Sequence, residues 1–272
     1  MALGFLAFNP ENAIAQENAS LFEDERLEAA VRQYVFEKRD NEEPLTAEDL
    51  ADLSTIEAKG LGITSLKGLE HCRALASLDV SGNAIEDIAP LADKPKLQLL
   101  DLSDNNIEDI GVLASLSGLQ YIELSTNAVS DLEPLSELEA LNSVYLSHNQ
   151  IEDFSPLLDA PKICSPYLDS NRLESLVGIY RLESLTTLSV RNNEIEDLSP
   201  LLGLKRLNNL FFDYNDISDL GPLLNIVRAD REGENRFAMF LNLSLEGNPL
   251  SFIARRSQLP ELGALVRKIY EK

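Results

Sequence analysis

Leu97-Gln98-Leu99-Leu100-Asp101-Leu102-Ser103-Asp104-Asn105-Asn106-Ile107 carries the pattern that decides the fold. Its frame is L-x-x-L-x-L-x-x-N-x-I, anchored on Leu97, Leu100, Leu102, Asn105 and Ile107. The frame occurs 22 residues earlier as Leu75/Leu78/Val80/Asn83/Ile85 and 22 later as Leu119/Ile122/Leu124/Asn127/Val129. It returns as Leu141/Val144/Leu146/Asn149/Ile151, Leu185/Leu188/Val190/Asn193/Ile195 and Leu207/Leu210/Phe212/Asn215/Ile217. The unit at Ile163 departs from it, because Pro166 takes the second apolar place before Leu168, Asn171 and Leu173. A last asparagine, Asn248, follows after a step of 33. A fixed period of this length marks stacked units, not one closed core.

The chemistry of the frame follows from strand geometry. In L-x-L the leucines point one way and the residue between them points the other. One unit cannot cover its own leucines, but stacked neighbours can. The asparagines would then be buried, and a buried amide needs hydrogen-bond partners. They read as a ladder that satisfies backbone groups at each turn. The second half of the unit also repeats, as in Ile85-x-Asp87-Ile88-x-Pro90-Leu91. Aspartate returns at 109, 131, 153, 197 and 219, with Ser175 as the substitute. Such residues ahead of a proline suit a short helical or 3-10 turn with a side-chain cap, so these carboxylates read as structural.

The frame matches the leucine-rich repeat consensus. Its 22-residue length and D-I-x-P-L half resemble the short repeat shared by internalins and phosphatase-regulator-type proteins, over about residues 53–250. Leu27-Glu-Ala-Ala-Val31 and Pro44-Leu-Thr-Ala-Glu-Asp-Leu50 resemble the entry segment of bacterial surface leucine-rich repeat proteins, and Gly247-Asn-Pro-Leu-Ser251 their closing unit. The resemblance implies an α/β solenoid: a right-handed leucine-rich repeat horseshoe. It would have a concave parallel β-sheet, convex turns and 3-10 segments, and a helical N-terminal cap. It also implies a binding protein.

The chain then divides into four parts. Residues 1–20 are a signal remnant or disordered tail, 21–52 a helical cap, 53–250 about nine repeats, and 251–272 a C-terminal cap. Leu27, Ala30, Val31, Val35 and Phe36 have helical spacing, predicting a helix over 22–38. Thr46-Ala-Glu-Asp49 predicts a second helix opened by a capping box. The first unit is degenerate, with Leu61 where asparagine is expected. In the long step, Arg228 to Arg236 is polar and holds Gly233, which predicts a loop.

Net charge is −23, which excludes the basic footprint that nucleic acid requires and opposes anionic membrane surfaces. The charge is uneven. Residues 223–272 hold eight Lys/Arg against six Asp/Glu, a balance of +2, leaving −25 on the other 222. No stretch is long and apolar enough to span a bilayer. Cys72 and Cys164 lie about four strands apart, roughly 19 Å at the usual spacing, beyond disulfide reach. Near the start, an apolar run at 2–8 and Ala13-Ile14-Ala15 before Gln16 resemble a secretory signal and its cleavage site. Asn9-Pro10-Glu11 interrupts the run and no Lys or Arg precedes it. Export is the expectation, with a cytoplasmic protein as the alternative.

Function would sit on the outward column of the strands. In order this column reads Glu57, Asp79, Asp101, Glu123, Tyr145, Tyr167, Ser189, Phe211 and Ser244. Tyr121 lies two places earlier, beside Tyr145; the column two places later includes Asp169, Arg191 and Asp213. Like charges on adjacent strands cost up to ~1 kcal/mol each, so four in a row call for a compensating reason. A protein partner with a basic and an apolar surface supplies one. Basic groups would face Asp79, Asp101 and Glu123, and apolar groups Tyr121, Tyr145, Tyr167 and Phe211, with Arg191 and Asp213 also in contact. A solvated acidic face with self-stabilising tyrosines is the plainer alternative. A cation over the carboxylates is disfavoured because flat strands lack a wrapping loop.

No catalytic residue, cofactor or metal site is predicted. The two histidines, His71 and His148, have no nucleophile or base beside them, and no glycine-rich phosphate loop or zinc spacing occurs. The function expected is a non-catalytic protein–protein interaction scaffold. The alternatives are an intracellular regulatory subunit, such as a phosphatase partner, and a self-associating surface protein.

Overall fold

The computed structural model describes residues 20–270; the cleavage-site-like Ala13-Ile14-Ala15 lies outside them. Two short helices lead in, α1 (Glu25–Arg32) and α2 (Ala47–Ala51). Asp24 caps α1 by accepting from the N–H groups of Arg26 and Leu27. Its other oxygen accepts from the Thr64 N–H and hydroxyl, which ties the cap to the first unit. The predicted capping box opens α2, with Thr46 and Asp49 bonded reciprocally. The helix expected over 22–38 is shorter: it stops at Arg32 and Phe36 is 76% exposed. The Arg32 guanidinium donates to the carbonyls of Lys38, Asn41 and Glu43, which folds the following chain back instead of continuing the helix.

Ten three-residue strands follow: β1 (Thr55–Glu57), β2 (Ser77–Asp79), β3 (Leu99–Asp101), β4 (Tyr121–Glu123), β5 (Ser143–Tyr145), β6 (Ser165–Tyr167), β7 (Thr187–Ser189), β8 (Asn209–Phe211), β9 (Asn242–Ser244) and β10 (Lys268–Tyr270). They form one parallel sheet in chain order. The register pairs Glu57, Asp79, Asp101, Glu123, Tyr145 and Tyr167 in succession, as the repeat requires. Pro166 has no N–H to donate, and the β6–β7 pairing narrows to Tyr167↔Ser189.

Behind the sheet, the framework leucines, isoleucines and valines form one continuous buried cluster from Phe22 to Val266. Burying each such side chain contributes about 1.5–3 kcal/mol relative to exposure. The asparagines stitch the units together. The Asn105 carboxamide oxygen accepts from the Ile85 N–H at 3.0 Å, and its nitrogen donates to the Val80 and Leu102 carbonyls at 3.1 and 3.0 Å. Asn193 repeats this on Leu173, Leu168 and Val190. Asn83 accepts from both Leu61 and Ile63, so the unit lacking its own asparagine is served by the next.

The residue before each asparagine takes a left-handed backbone. Gly82 and Gly247 do so with φ of +67° and +76°, but Asp104, Thr126, His148, Ser170, Asn192 and Tyr214 do so between +52° and +61°. A β-branched residue such as Thr126 is strained there. The ladder bonds on either side hold the turn in place.

On the opposite side run short 3-10 turns, including Ala89–Leu91, Glu133–Leu135 and Ser199–Leu201. Each repeating aspartate accepts from the N–H two residues on: Asp87 from Ala89, Asp131 from Glu133, Asp197 from Ser199. Ser175 does the same for Val177. These carboxylates are therefore structural caps, as their spacing implied.

The long step is not the loop expected at Arg228–Arg236. Helix α3 (Gly221–Glu232) takes in residues 228–232, and only 233–236 stay irregular. Pro222 sits in its first turn, and Leu223, Leu224, Ile226 and Val227 bury one face. Asp230 is the reason the polar stretch is ordered: its buried carboxylate accepts from the N–H groups of Arg236, Phe237 and Ala238. At the far end α4 (Leu259–Leu265) leads to β10, which pairs with β9 and extends the sheet beyond the repeats.

Candidate functional site

The sheet presents two different surfaces along one column. At its N-terminal end the carboxylates are tethered. Asp79 accepts from the Ser81 N–H and hydroxyl, and Asp101 from those of Ser103. Glu123 accepts from the Ser125 N–H at 2.8 Å. Lys59 pairs with Asp79 at 2.7 Å. Burial opposes ionisation of Asp79, but the hydrogen bonds from Lys59 and Ser81 outweigh it and hold its pKa below the usual value. At Glu123 the balance reverses: burial, with Asp101 alongside, raises its pKa despite the bonds from Ser125. One oxygen of each of these three carboxylates is thus bonded to its own strand. Among the described residues no group of three or more His, Cys, Asp or Glu is arranged to hold a metal.

From β4 onward the surface turns aromatic. Tyr145 and Tyr167 stack with ring centroids 4.8 Å apart and planes 7° from parallel. Tyr121 lies 5.3 Å from Tyr145 at 43°. Each ring is only half-buried. Burial pushes the Tyr121 pKa up to about 12, with Glu123 beside it adding to the rise. The Tyr145 pKa is also raised, by burial and then by Tyr167. Tyr121 and Tyr145 are therefore neutral hydroxyls at physiological pH, able to donate as well as accept.

Phe211 stands apart from this cluster. The strand between holds fully buried Ser189, so Phe211 is two strand spacings from Tyr167, roughly 10 Å. Its own neighbour is Arg191, whose guanidinium sits 4.1 Å over the ring. Arg191 is held from both sides, by Asp213 at 2.8 Å and Asp169 at 3.4 Å. Asp213, expected at the surface, is instead 6% exposed. It accepts from the Ser244 hydroxyl and the Glu246 N–H, bonds that lock the long step to the sheet. Its place is beneath Arg191, so Arg191 and Phe211 are the groups offered outward at this corner.

Leu99 was missed by the sequence reading. It is 48% exposed and pairs in register with Tyr121. The signal was its position two residues before Asp101, the column that holds Tyr121. Leu99, Tyr121, Tyr145 and Tyr167 thus make an apolar strip over four strands, edged by Asp101 and Glu123. Tyr34, from the N-terminal cap, closes the sheet's first edge by accepting from the Glu57 N–H at 2.9 Å. Both cysteines are free; Cys72 is buried, and burial pushes its pKa up to about 11.

A right-handed solenoid whose concave parallel sheet carries its open side chains is a leucine-rich repeat protein. Residues 95–137 match the family model for Leucine Rich repeats (2 copies). No curated protein matches the chain. Among solved structures, internalin C2 of Listeria monocytogenes is 30% identical with a TM-score of 0.71, over 76% of this chain and 91% of that one. The chain belongs to the internalin-like leucine-rich repeat proteins. Internalin F of the same organism superposes with a TM-score of 0.71 at 24% identity, over 92% and 76% of the two chains. The functional domain of InlJ, also from Listeria monocytogenes and described as including a cysteine ladder, shares the fold. Its TM-score is 0.55 at 16% identity, over 93% of this chain and 60% of that one. In the present chain the ladder is asparagine. Among the described residues no helix is long and apolar enough to cross a membrane.

Proposed function

We propose that the protein is a non-catalytic scaffold that binds a protein partner on its concave face. The observation that carries this reading is the strip of Leu99, Tyr121, Tyr145 and Tyr167, left half-open to solvent beside a tethered acidic column. Half-buried aromatics held rigid by stacking lose little entropy on contact, which is the character of interface hot spots. The carboxylates beside them favour a partner whose apolar patch is flanked by Lys or Arg, and steer its approach. Arg191 over Phe211 offers a second, smaller contact at the far corner.

The test is a Tyr145→Ala/Tyr167→Ala variant against the partner recovered with the wild-type protein. Affinity should fall at least about tenfold, since truncated hot spots typically cost 2 kcal/mol or more. Unchanged affinity with an intact fold would remove the concave face from the interaction.

Export is part of this proposal. It is supported by the internalin likeness and by Ala13-Ile14-Ala15 ahead of Gln16. N-terminal sequencing of protein recovered from cell fractions tests it: a mature chain starting at Gln16 outside the cytoplasm is expected. An uncleaved cytosolic chain would favour the intracellular regulatory role instead. Concentration-dependent self-association without a hetero-partner would favour the structural one.

A further inference from the structure

The inserted helix builds a wall on the side opposite the sheet. α3 packs beside the Ser199–Leu201 turn. Between it and Tyr180 runs a groove of three adjoining cavities of about 440, 380 and 200 Å³, with Leu202 lining all three. Ile226 and Phe237 belong to the helix side. Leu202 is 67% exposed and Tyr180 57%. Two repeats before Leu202 the same column holds Leu158, which is buried, and the repeat before that holds Ser136. In this column only Tyr180 and Leu202, both at the groove, present a large apolar group to solvent, and they gain nothing from the fold by doing so.

Lys205 and Arg206 line the same groove. Among the described residues neither has an ion-pair partner. Around them Arg181 is held by Asp159, Arg191 by Asp169 and Asp213, Arg228 by Glu261, and Arg236 by Asp230. In a chain with 46 acidic and 23 basic residues, these two adjacent cations carry no ion pair and lie beside open apolar surface. The carboxylates in the groove are Glu183, Asp219 and Asp230; Arg236 pairs with Asp230, and Asp219 accepts from the Gly221 N–H and the Gln258 amide, so at the Tyr180 end the two cations face Glu183 alone. The acidic column at β1–β4 is far beyond the Debye length of about 8 Å, so at physiological salt the field at the Tyr180 end is set by Lys205, Arg206 and Glu183.

We propose that this convex groove is a second docking site, separate from the concave face, for an acidic segment of a protein partner. An Asp or Glu side chain of that segment sits on Lys205 and Arg206, and a large apolar side chain lies against Leu202 and Tyr180. The 33-residue step exists, on this view, to raise the helix that closes one side of the groove.

A displayed random-peptide library selected on the full chain tests the proposal. Peptides are counter-selected on a Lys205→Glu/Arg206→Glu variant and competed against the Tyr145→Ala/Tyr167→Ala variant. Expected survivors combine Asp or Glu with Leu, Phe or Trp, and bind the concave-face variant as well as wild type. They lose about tenfold in affinity on the charge-reversed variant and weaken as salt is raised. Leu202→Ser should weaken them with little change in charge dependence. All three positions are at the surface, so the folds should match by circular dichroism. The proposal is overturned if no peptide distinguishes wild type from the charge-reversed variant, or if the enriched peptides are neutral or basic.

Discussion

The β1–β4 half of the sheet and the β5–β8 half share one frame and one ladder, yet they present opposite chemistry. On the first, carboxylates face carboxylates across strands, and Asp79, Asp101 and Glu123 are each bonded to the serine two residues on. On the second, Tyr145 stacks on Tyr167, and Arg191 covers Phe211 between two aspartates. The lesson is that the repeat fixes where a side chain points and leaves its chemistry free. Cohesion comes from the buried positions, which are alike in both halves. The outward positions differ because nothing in the fold constrains them.

The largest effect expected tests the shared frame. Asn105→Ala and Asn193→Ala each orphan one buried N–H and take away one of the two asparagine donors on each of two carbonyls. Each should lower stability by about 3 kcal/mol in urea unfolding. Very unequal losses would mean the halves are not held by the same ladder.

Next comes the surface strip. Removing both stacked rings in Tyr145→Ala/Tyr167→Ala should cost binding heavily but stability only about 1 kcal/mol. A stability loss as large as that of the asparagine variants would make the tyrosines framework, like their buried neighbours.

Within the acidic half, Asp79 and Glu123 should respond to pH with opposite signs. The folded pKa of Asp79 is lowered, so its charge stabilises the fold above the ordinary carboxylate value and that contribution is lost as pH falls through the lowered one. Asp79→Asn should therefore destabilise at neutral pH. The folded pKa of Glu123 is raised, so ionisation is disfavoured in the folded state and stability is lost as pH rises through the carboxylate range. Glu123→Gln should stabilise at neutral pH, and its advantage should vanish well below pH ~4. Both effects should stay under about 1 kcal/mol, read as melting temperature against pH. Shifts of the same sign would mean the column behaves as one uniform acidic patch.

The smallest effect is at the edge of the column. Lys59 is 61% exposed in its pair with Asp79. Lys59→Met should leave stability nearly unchanged in chemical unfolding, and raising salt should erase any difference.

Much of this was legible in the chain because the period is strict. Five framework positions identified the strands, the turns and the outward columns, and the aspartates ahead of the prolines announced their caps. The failures cluster where the period breaks. Arg228–Arg236 read as a loop because its polar residues hide the partner of the buried Asp230, which is backbone and leaves no mark in composition. Phe36 read as core because helical spacing assumes the helix continues, and Arg32 ends it through contacts with residues still ahead in the chain. Leu99 was overlooked because two framework leucines surround it and only the strand's pleat tells them apart.

The sequence by itself determined the solenoid, the asparagine ladder and the order of acids and aromatics on one face, because in a repeat each residue's neighbours are its own counterparts one period away. Only the tertiary structure decided that Asp213 is buried and that Phe211 is parted from the tyrosines. It alone showed that the long step raises a helical wall over Leu202. Those features depend on contacts across unequal distances in the chain, where side-chain packing and backbone satisfaction, not periodicity, choose the conformation.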